Sequence, residues 1–306
     1  MFENIGNVKV DYQYYSGKDL YSDGAIEDEM LEFVKNNSIN DYQKFVDKKK
    51  SWAGLYHFSP IRQNIVSSLK INKSDKVLEI GSGCGAITGR LCELANSVTC
   101  IELSKKRSLI NAYRNKSFDN LSILVGNFED IVADLKPKYD VVTLIGVYEY
   151  AASYINDQYP YHNFMNIIKK ITKPGGRIII AIENRLGMKY FAGCKEDHVG
   201  KYFEGIEGYN NVKHVRTFSK PELEILLSEC GLDNYTFYYP YPDYKFPVSI
   251  YSDDYLPQKG ALNMNILNLD QSRQLLFDES KAYDSIVGTD LYPIFANSFL
   301  IDIANL

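Results

Sequence analysis

A glycine-rich turn carries the clearest chemical signal in the sequence. Residues 77–85 read VLEIGSGCG, so that Gly81, Gly83 and Gly85 directly follow an apolar run. Glycine allows the backbone to turn sharply and to approach a ligand closely. The residues after the turn predict a helix, whose first N–H groups would face the same ligand. The turn therefore predicts a ligand site at a strand-to-helix connection.

Two classes of ligand fit these glycines when they are considered alone. The pattern Gly81-x-Gly83-x-x-Ala86 satisfies the fingerprint of dinucleotide-binding folds, which accept alanine at the last position. Glu79 would repel a pyrophosphate, but it could help to hold a cationic amino-acid group. Gly85 extends the turn to Gly-x-Gly-x-Gly. Of these two features, the charge of Glu79 favours a ligand with a cationic amino-acid end over a dinucleotide.

Polar and aromatic residues follow the next two predicted strands at corresponding points. Glu102 ends the second strand, about 20 residues after the turn, where an acid can accept both hydroxyls of a ribose. Leu103 follows it directly. Asn127 and Phe128 come after the third strand, where an amide and an aromatic ring can read and cover an adenine. These positions predict that the ligand contains adenosine.

The elements that position these residues alternate in type from about residue 76 onward. The pattern predicts strands at 76–80, 98–102, 121–125, 140–145 and 177–182, and helices at 86–95, 104–116 and 161–171. Strands buried on both faces read as unbroken apolar runs, as VVTLI and RIIIAI do. The repeated strand–helix order predicts a parallel α/β sheet whose carboxyl edge carries the ligand site.

The sequence resembles the class I S-adenosylmethionine-dependent methyltransferases from about residue 74 to 184. The residues that carry the resemblance are LEIGSGCG, the acid in CIELS, GNFED, YDVVTLIGVYEY and KPGGRIIIAIEN. The resemblance implies a Rossmann-like, mostly parallel sheet of seven strands in the order 3-2-1-4-5-7-6, with helices on both faces. Its last strand would be antiparallel, and SFLIDI at 298–303 is the candidate.

The same resemblance implies the cofactor S-adenosylmethionine, which leaves as S-adenosylhomocysteine. Gly146, after the fourth strand, would let the backbone approach the amino group of the cofactor. With it, the residues expected to bind the cofactor are Glu79, Gly81, Ser82, Gly83, Gly85, Glu102, Leu103, Asn127 and Phe128.

The wider chain is similar to a narrower bacterial group, methyltransferase domains found beside or fused to glycosyltransferases in surface-glycan pathways. The similarity lies in YSDG, YHFSPIRQN, ENRLGMKYFAG, EDHVG, FEGIEGY and LYPIFANSFLI. It implies methyl transfer to an oxygen or nitrogen of a sugar or of a small glycan-linked group, with association with a glycosyltransferase. The alternatives are a methyltransferase of small metabolites and an NAD-dependent oxidoreductase.

Two residues are candidates for proton transfer during catalysis. Glu149 follows the fourth predicted strand and is interpreted as a general base, with an exposed acid as the alternative. His198 lies beside Asp197 in a glycine-punctuated stretch, and histidine titrates unperturbed near neutral pH. An Asp–His pair could deprotonate an acceptor as such a loop closes, with a polar surface histidine as the alternative.

The candidates for binding the acceptor lie after predicted strands, at a helix start and in the glycine-punctuated stretch. They are Tyr148 and Asn184, then Tyr161 and His162, and then Asp197. Arg62 precedes the first strand of the alternating region. It is interpreted as part of an N-terminal cap over the cofactor, where it would pair bidentately with a carboxylate. A surface arginine next to a helix cap is the alternative.

The predicted organisation is an N-terminal helical cap at 1–70 and a methyltransferase domain at 71–306. An insertion at about 184–216 contains five glycines and is interpreted as a lid loop. No stretch approaches the roughly 18 apolar residues of a membrane span, and the first residues do not resemble a signal peptide. We therefore expect a cytoplasmic protein.

The composition narrows the partners that we expect. The formal charge of −5 argues against nucleic acid as the acceptor, because binding to phosphates usually needs a basic face. The five cysteines form no C-x-x-C pair and no metal-ligand pattern, so we predict reduced, buried thiols and no metal.

Overall fold

The computed structural model describes residues 2–19, 21–135, 138–155, 157–210, 212–265 and 271–305. The chain forms two compact units. Unit 1 contains residues 1–144 and 167–177, and unit 2 contains residues 145–166 and 178–306. These units divide the chain elsewhere than at residue 70, where the sequence suggested the end of a cap.

Ten strands are found within the described residues, where the sequence predicted seven. They are β1 Phe2–Ile5, β2 Val8–Tyr14, β3 Lys76–Ile80, β4 Ser97–Glu102, β5 Leu121–Gly126, β6 Tyr139–Ile145, β7 Thr172–Glu183, β8 Tyr235–Tyr241, β9 Ser249–Ser252 and β10 Ser298–Asn305. The helices are α1 Ile26–Asn36, α2 Tyr42–Lys49, α3 Trp52–Phe58, α4 Asn64–Ser67, α5 Thr88–Leu94, α6 Lys105–Arg114, α7 Phe128–Asp134, α8 Ala151–Tyr154, α9 Pro160–Ile171, α10 Met188–Phe191, α11 Lys220–Glu229, α12 Glu279–Ile286 and α13 Tyr292–Phe295.

Unit 1 has a mostly parallel sheet of the Rossmann-like α/β type. Its strands lie in the order β1-β2-β5-β4-β3-β6. β3 pairs in parallel with β4 and with β6, so that Val77 lies between Val98 and Val141. All three valines are almost fully buried. Burial on both faces explains why these strands read as continuous apolar runs in the sequence.

The N-terminal segment is not wholly helical, which corrects the predicted helical cap. β1 and β2 form an antiparallel hairpin, and β2 pairs in parallel with β5, with Val10 opposite Ile123. Val8 and Val10 are buried, whereas Lys9 between them is exposed. This alternation is typical of a half-buried strand, but it spans too few residues to stand out in the sequence.

The helices of the N-terminal segment pack onto the strand–helix region of unit 1. Met30, Phe45 and Phe58 share one apolar cluster with Cys84 of the glycine turn and Ile110 of α6. The side chains of this cluster are buried. Since Cys84 lies inside the glycine turn, the N-terminal helices help to fix the position of that turn.

Unit 2 contains β7 from Ile178 onward, followed in the sheet by β10, β8 and β9. Residues 178–182 of β7 are completely buried, as expected for the run RIIIAI. β10 pairs antiparallel with β8, with Leu300 opposite Tyr238, and β8 pairs antiparallel with β9. The SFLIDI segment is therefore an antiparallel strand.

Residues 184–210 and 212–216 are mostly irregular, apart from the short helix α10. Several of their side chains are nevertheless buried, among them Tyr190, Cys194, Glu196 and Tyr209. The segment therefore belongs to the core of unit 2. The buried charged groups in it are held by neighbouring side chains, as buried charges require.

Helix α11 begins with a capping box that also binds two arginines. The backbone N–H and the hydroxyl of Ser219 donate to Oε2 of Glu222, at 2.8 and 2.7 Å. Arg185 and Arg216 donate to the two carboxylate oxygens at 2.6 and 2.7 Å. Burial opposes the charge on Glu222, but the hydrogen bonds from Arg185 and Ser219 outweigh it and lower its pKa to about 2.

We expect Glu222→Gln to lower the free energy of unfolding by about 1–2 kcal/mol at neutral pH. A depressed pKa stabilises the folded state above the unfolded-state pKa near 4.5, and this contribution is lost as the pH falls toward 2. Denaturant melts at about pH 7 and about pH 3 check this, with Glu224→Gln on the same helix as the control. A deficit of equal size at both pH values would contradict the assignment.

Candidate active site

The glycine turn at residues 81–85 needs glycine for its backbone shape. Gly81, Gly83 and Gly85 have φ angles of +69°, +52° and +75°, in the left-handed region that side chains disfavour. The N–H groups of Gly81 and Ser82 donate to the carbonyl of Ile101, at 2.9 and 3.3 Å. The turn is therefore fixed against the end of β4, and Ser82 is buried within it.

The surroundings of Gly83 and Gly85 differ. A Cβ atom on Gly85 would lie 2.3 Å from Oδ1 of Asn111, so this glycine is required by packing. Among the described residues, a Cβ atom on Gly83 would have only the His57 ring carbon Cε1 nearby, at 4.0 Å. The space beside Gly83 is open, as a ligand that approaches the backbone closely would require.

Glu102 links this open position to the next helix. Its carboxylate accepts the N–H of Gly83 at 2.8 Å through Oε2 and the N–H of Ser104 at 2.9 Å through Oε1. Burial raises the pKa of Glu102, although the backbone hydrogen bonds from Ser104 and Gly83 act against that shift. A buried acceptor beside an open glycine fits the ribose of an adenosine ligand. The residues present therefore fit S-adenosylmethionine.

Glu79 is buried in unit 1 and has almost no contact with solvent. Its Oε2 accepts the hydroxyl of Thr88 at 2.6 Å and the thiol of Cys100 at 3.3 Å. Burial raises its pKa to about 7. Its predicted role in holding the amino-acid end of the cofactor stays a prediction.

Three further residues predicted to bind the cofactor, Leu103, Asn127 and Phe128, lie at or just before the starts of helices. Leu103 follows Glu102 and is half-buried. Asn127 occupies the position before α7, but its side chain makes no capping hydrogen bond. Phe128 is buried in the first turn of α7. The Asn127 amide is therefore not used to cap the helix, in keeping with a role in ligand binding.

A charged network in the N-terminal segment, which the sequence did not reveal, packs near the glycine turn. Asp23 binds both Arg107 on α6, at 2.8 Å, and His57 on α3, at 2.9 Å. Arg107 also donates to Glu27 at 2.7 Å. Asp23 lies in the YSDG motif, which is the feature of the sequence that points to this contact. Because His57 lies beside Gly83, the network orients the wall of the predicted cofactor site.

Arg62 contacts an aromatic residue of the same segment. It donates to the hydroxyl of Tyr56 at 3.1 Å, and its guanidinium lies 4.1 Å from the centre of the Tyr56 ring. The side chain is buried, so the alternative of a surface arginine is wrong. A bidentate contact with a carboxylate stays a prediction.

In unit 2, Gly146 and the residues after it are closely packed. Gly146 has a φ angle of +70°, and a Cβ atom there would lie 2.8 Å from the hydroxyl of Tyr244. Tyr148 donates to the carbonyl of Tyr161 at 3.0 Å, and Tyr161 donates to the carbonyl of Glu149 at 3.2 Å. These tyrosines therefore hold the segment that carries Glu149.

Two of the residues predicted to bind the acceptor have partners within unit 2. Asn184 donates to the carbonyls of Ile294 and Ala296, both at 2.7 Å, so both of its amide protons are used. His162 pairs with Glu229 at 2.7 Å and is partly exposed. Asn184 thus connects the end of β7 to the segment before β10.

Glu149, Glu183 and His198 meet at one buried point in unit 2, and we call them the buried triad. Nε2 of His198 lies 3.5 Å from Oε1 of Glu149 and 3.7 Å from Oε2 of Glu183. Glu149 and Glu183 are at most 1% exposed. Glu149 follows β6 and Glu183 ends β7, so the chain delivers both carboxylates at the carboxyl ends of strands. The sequence singled out Glu149 and His198 but not Glu183.

The predicted Asp197–His198 pair is wrong, because the two side chains have different partners. Nδ1 of His198 contacts Glu196 at 2.9 Å. Asp197 instead pairs with Lys189 and Lys245, both at 2.8 Å. Burial raises the pKa of Asp197, but the two ammonium groups outweigh it and hold that pKa well below its usual range. Asp197 is thus an anchor for two buried lysines.

The carboxylates around His198 control its charge. Burial opposes a charged imidazole, but the nearby Glu183 carboxylate and the contacts with Glu149 and Glu196 hold the His198 pKa well above its usual value. Burial also raises the pKa of Glu149. The site therefore attracts positive charge at the position of Nε2.

Residues 71–220 match the family model described as a methyltransferase domain. The ribosomal RNA small subunit methyltransferase A of Malacoplasma penetrans is 27% identical over 152 residues, which are 49% of this chain and 53% of that protein. The ubiquinone biosynthesis O-methyltransferase of Pelagibacter ubique is 29% identical over 187 residues, which are 54% of this chain and 75% of that protein. The chain spans about half or less of the length of the ribosomal RNA methyltransferases it matches first.

These matches show that residues 71–220 are similar to a methyltransferase domain, and the relatives named here belong to the class of methyltransferases. A solved structure of a methyltransferase of this class from Thermotoga maritima is 15% identical, with a TM-score of 0.45, and the match covers 87% of this chain and 99% of that chain. Within the described residues, no helix is both long and apolar enough to span a bilayer.

We expect Glu102→Gln to weaken the binding of S-adenosylhomocysteine by about 10- to 100-fold, because hydrogen bonds to a charged acceptor are the strong ones. Calorimetric titration checks this, with Glu93→Gln at the exposed end of α5 as the matched control. Titration with NADH in parallel separates the two cofactor classes. Unchanged affinity in Glu102→Gln, or binding of NADH alone, would contradict the site.

Alanine at Gly83 and at Gly85 should have different effects. Gly85→Ala should destabilise folding by about 2–3 kcal/mol, because its Cβ overlaps Asn111 in a packed region. Gly83→Ala should cost about 1 kcal/mol for its φ angle and should weaken S-adenosylhomocysteine binding about tenfold or more. Denaturant melts and calorimetry measure the two effects. A folded Gly83→Ala with wild-type affinity would refute the placement of the ligand.

Proposed function

We propose that the protein transfers a methyl group from S-adenosylmethionine to an oxygen or nitrogen atom of a sugar or of a small glycan-linked group. The observation that carries the proposal is the buried triad, because it gathers two carboxylates and an imidazole at the ends of β6 and β7. A hydroxyl or a protonated amine must lose a proton when it is methylated. Of these two acceptors, a hydroxyl oxygen depends more on a side chain that accepts its proton.

The cofactor is bound, in this proposal, by the residues of the glycine turn and the strand ends that follow it. The open space beside Gly83 admits the ligand, and Glu102 accepts the ribose hydroxyls. Asn127 and Phe128 contact the adenine. When bound, S-adenosylmethionine supplies a methyl group that is already activated by the positive charge on sulfur.

The protein's own contribution is to orient the acceptor and to exclude water. Tyr148 and Tyr161 hold the Glu149 segment in place through hydrogen bonds to carbonyl groups. Glu149 and His198 are the catalytic residues of the proposal. The acceptor group lies at the buried triad, where its proton passes to the Glu149 carboxylate and the His198 imidazole orients that carboxylate. Such preorganised polar groups avoid reorganisation during the reaction.

A sugar or glycan-linked acceptor is supported by the resemblance to methyltransferase domains of surface-glycan pathways and by the acidic balance of the chain, −5 at pH 7. Association with a glycosyltransferase is part of the same proposal. Several relatives carry names of ribosomal RNA methyltransferases. RNA is therefore included as an acceptor in the test.

The acceptor class is tested by release of S-adenosylhomocysteine from the pure protein with monosaccharides and glycan fragments, with small phenols and amines, and with RNA. Turnover with a sugar or glycan fragment supports the proposal. Turnover with RNA alone, or with small metabolites alone, overturns the sugar assignment while leaving the methyltransferase class in place.

We expect Glu149→Gln and His198→Asn to lower the rate of methyl transfer by about 100-fold or more, because each removes a group that acts directly on the acceptor. S-adenosylhomocysteine affinity should change less than about twofold. The control variants are Glu207→Gln and His214→Asn, because both residues are exposed and lie in the same irregular segment as His198. Wild-type rates in both triad variants would disprove the catalytic role.

A further inference from the structure

We propose that Glu149, Glu183 and His198 form a binding site for one divalent transition-metal cation. The inference deepens the proposed function by naming how the buried triad acts, and only the role of the ion in catalysis rests on that function. The binding of the ion rests on the geometry of unit 2 alone.

The spacing of the three ligand atoms suits a shared cation better than direct hydrogen bonds. Nε2 of His198 lies 3.5 Å and 3.7 Å from the nearest oxygens of Glu149 and Glu183. Such separations are too long for good hydrogen bonds between nitrogen and oxygen. Two ligands that each lie about 2.1 Å from one cation are separated by about 3 to 4 Å. All three ligand atoms lie within 4.8 Å of one another.

Two carboxylate oxygens at this point are buried and lack a hydrogen bond within the described chain. They are Oε2 of Glu149 and Oε2 of Glu183. The residues themselves are 1% and 0% exposed. Buried polar atoms of native proteins are normally satisfied, and an unpartnered carboxylate oxygen is expensive to bury. A cation bound by Nε2 and by the two nearest oxygens, Oε1 of Glu149 and Oε2 of Glu183, would give Oε2 of Glu183 a partner and would neutralise the Glu149 carboxylate.

The outer contacts orient the triad as ligands of a metal are oriented. Nδ1 of His198 contacts Oε1 of Glu196 at 2.9 Å, which turns Nε2 toward Glu149 and Glu183. Oε2 of Glu196 accepts the N–H groups of His198 and Val199, at 2.8 and 2.6 Å, so this carboxylate is fixed. A histidine that binds metal through one nitrogen typically binds a carboxylate through the other.

The charges near the triad also call for a further cation. Five carboxylates are gathered here, and the positive groups in the ion pairs described around them are two lysine ammonium groups and the His198 imidazole, so carboxylates outnumber cations even when the imidazole is protonated. The carboxylates belong to Glu149, Glu183, Glu196, Asp197 and Asp243, and the lysines are Lys189 and Lys245. A surplus of buried negative charge is unfavourable unless positive charge compensates it.

One imidazole and two carboxylates define the class of ion. This donor set suits Zn²⁺ and related transition metals, whereas Mg²⁺ and Ca²⁺ prefer oxygen ligands throughout. Three protein ligands leave at least one position open, as in catalytic zinc sites. In the proposed function, that position would take the acceptor oxygen, the cation would lower the pKa of its hydroxyl, and the proton would pass to Oε2 of Glu149.

The decisive experiment uses Zn²⁺ as the probe, with the full chain freed of metal by a chelator and without cofactor or acceptor. Calorimetric titration should show one Zn²⁺ per chain. Glu149→Gln, Glu183→Gln and His198→Asn should each weaken this binding by about 100-fold or more. Exposed residues supply matched controls, since His214→Asn and Glu207→Gln should leave Zn²⁺ binding unchanged.

A crystal of the wild-type protein grown with Zn²⁺ needs no variant and covers the case in which a triad variant fails to fold. The anomalous difference peak should lie between Nε2 of His198 and the oxygens of Glu149 and Glu183. A peak only at another position, such as a buried cysteine, would overturn the proposal. The absence of stoichiometric Zn²⁺ binding would also overturn the proposal. It would mean that a proton on Nε2, and not a cation, lies between the carboxylates.

The two proposals fail separately in this design. If Zn²⁺ binds at the triad but no acceptor is methylated, the metal site stands and the proposed function is refuted. If methyl transfer proceeds at the same rate after chelation and no Zn²⁺ binds, the metal site is refuted and the proposed function stands.

Discussion

The hydrogen bonds of the Glu102 carboxylate are the interaction on which the predicted cofactor site depends. They join the N–H of Gly83 to the N–H of Ser104, and so connect the glycine turn with the start of α6. Without this carboxylate, the buried N–H of Ser104 and the part-buried N–H of Gly83 would lose their acceptor. The same carboxylate is the acceptor that a ribose would need. The geometry of the turn and the chemistry of the site therefore depend on one residue.

The N-terminal segment completes unit 1 around this turn. Its helices share an apolar cluster with Cys84, and its acids pair with Arg107 on α6. His57 is placed beside Gly83 by its contact with Asp23. Because these contacts act on the turn and on the next helix together, the segment shapes the site that the turn opens. The segment therefore forms one side of the predicted cofactor site and is not a separate cap.

The parts of the structure that were predictable from sequence are those set by local pattern. The strands β3 to β6 read as apolar runs because both of their faces are buried, and the positive φ angles of the glycine turn demand glycine. The β1–β2 hairpin was missed because only Val8 and Val10 mark its buried face. The strands β1 and β2 thus carry sequence signals that are too short to recognise.

The buried triad was only half predictable, for a physical reason. Glu149 and His198 stood out because of their chemistry and position, but Glu183 reads as the end of an apolar strand. Neighbouring side chains point in different directions, so Asp197 faces two lysines while Nε2 of His198 faces carboxylates that are distant in sequence. No metal was predicted, because that expectation came from the cysteines, and a ligand set spread over separate segments has no local spacing.

A crystal structure of the protein with S-adenosylhomocysteine tests the central claim most directly. The account predicts the ribose hydroxyls within hydrogen-bond distance of the Glu102 carboxylate, with the nucleoside lying against the backbone of Gly83. A nucleoside bound elsewhere, with Glu102 far from any sugar ring, would contradict it.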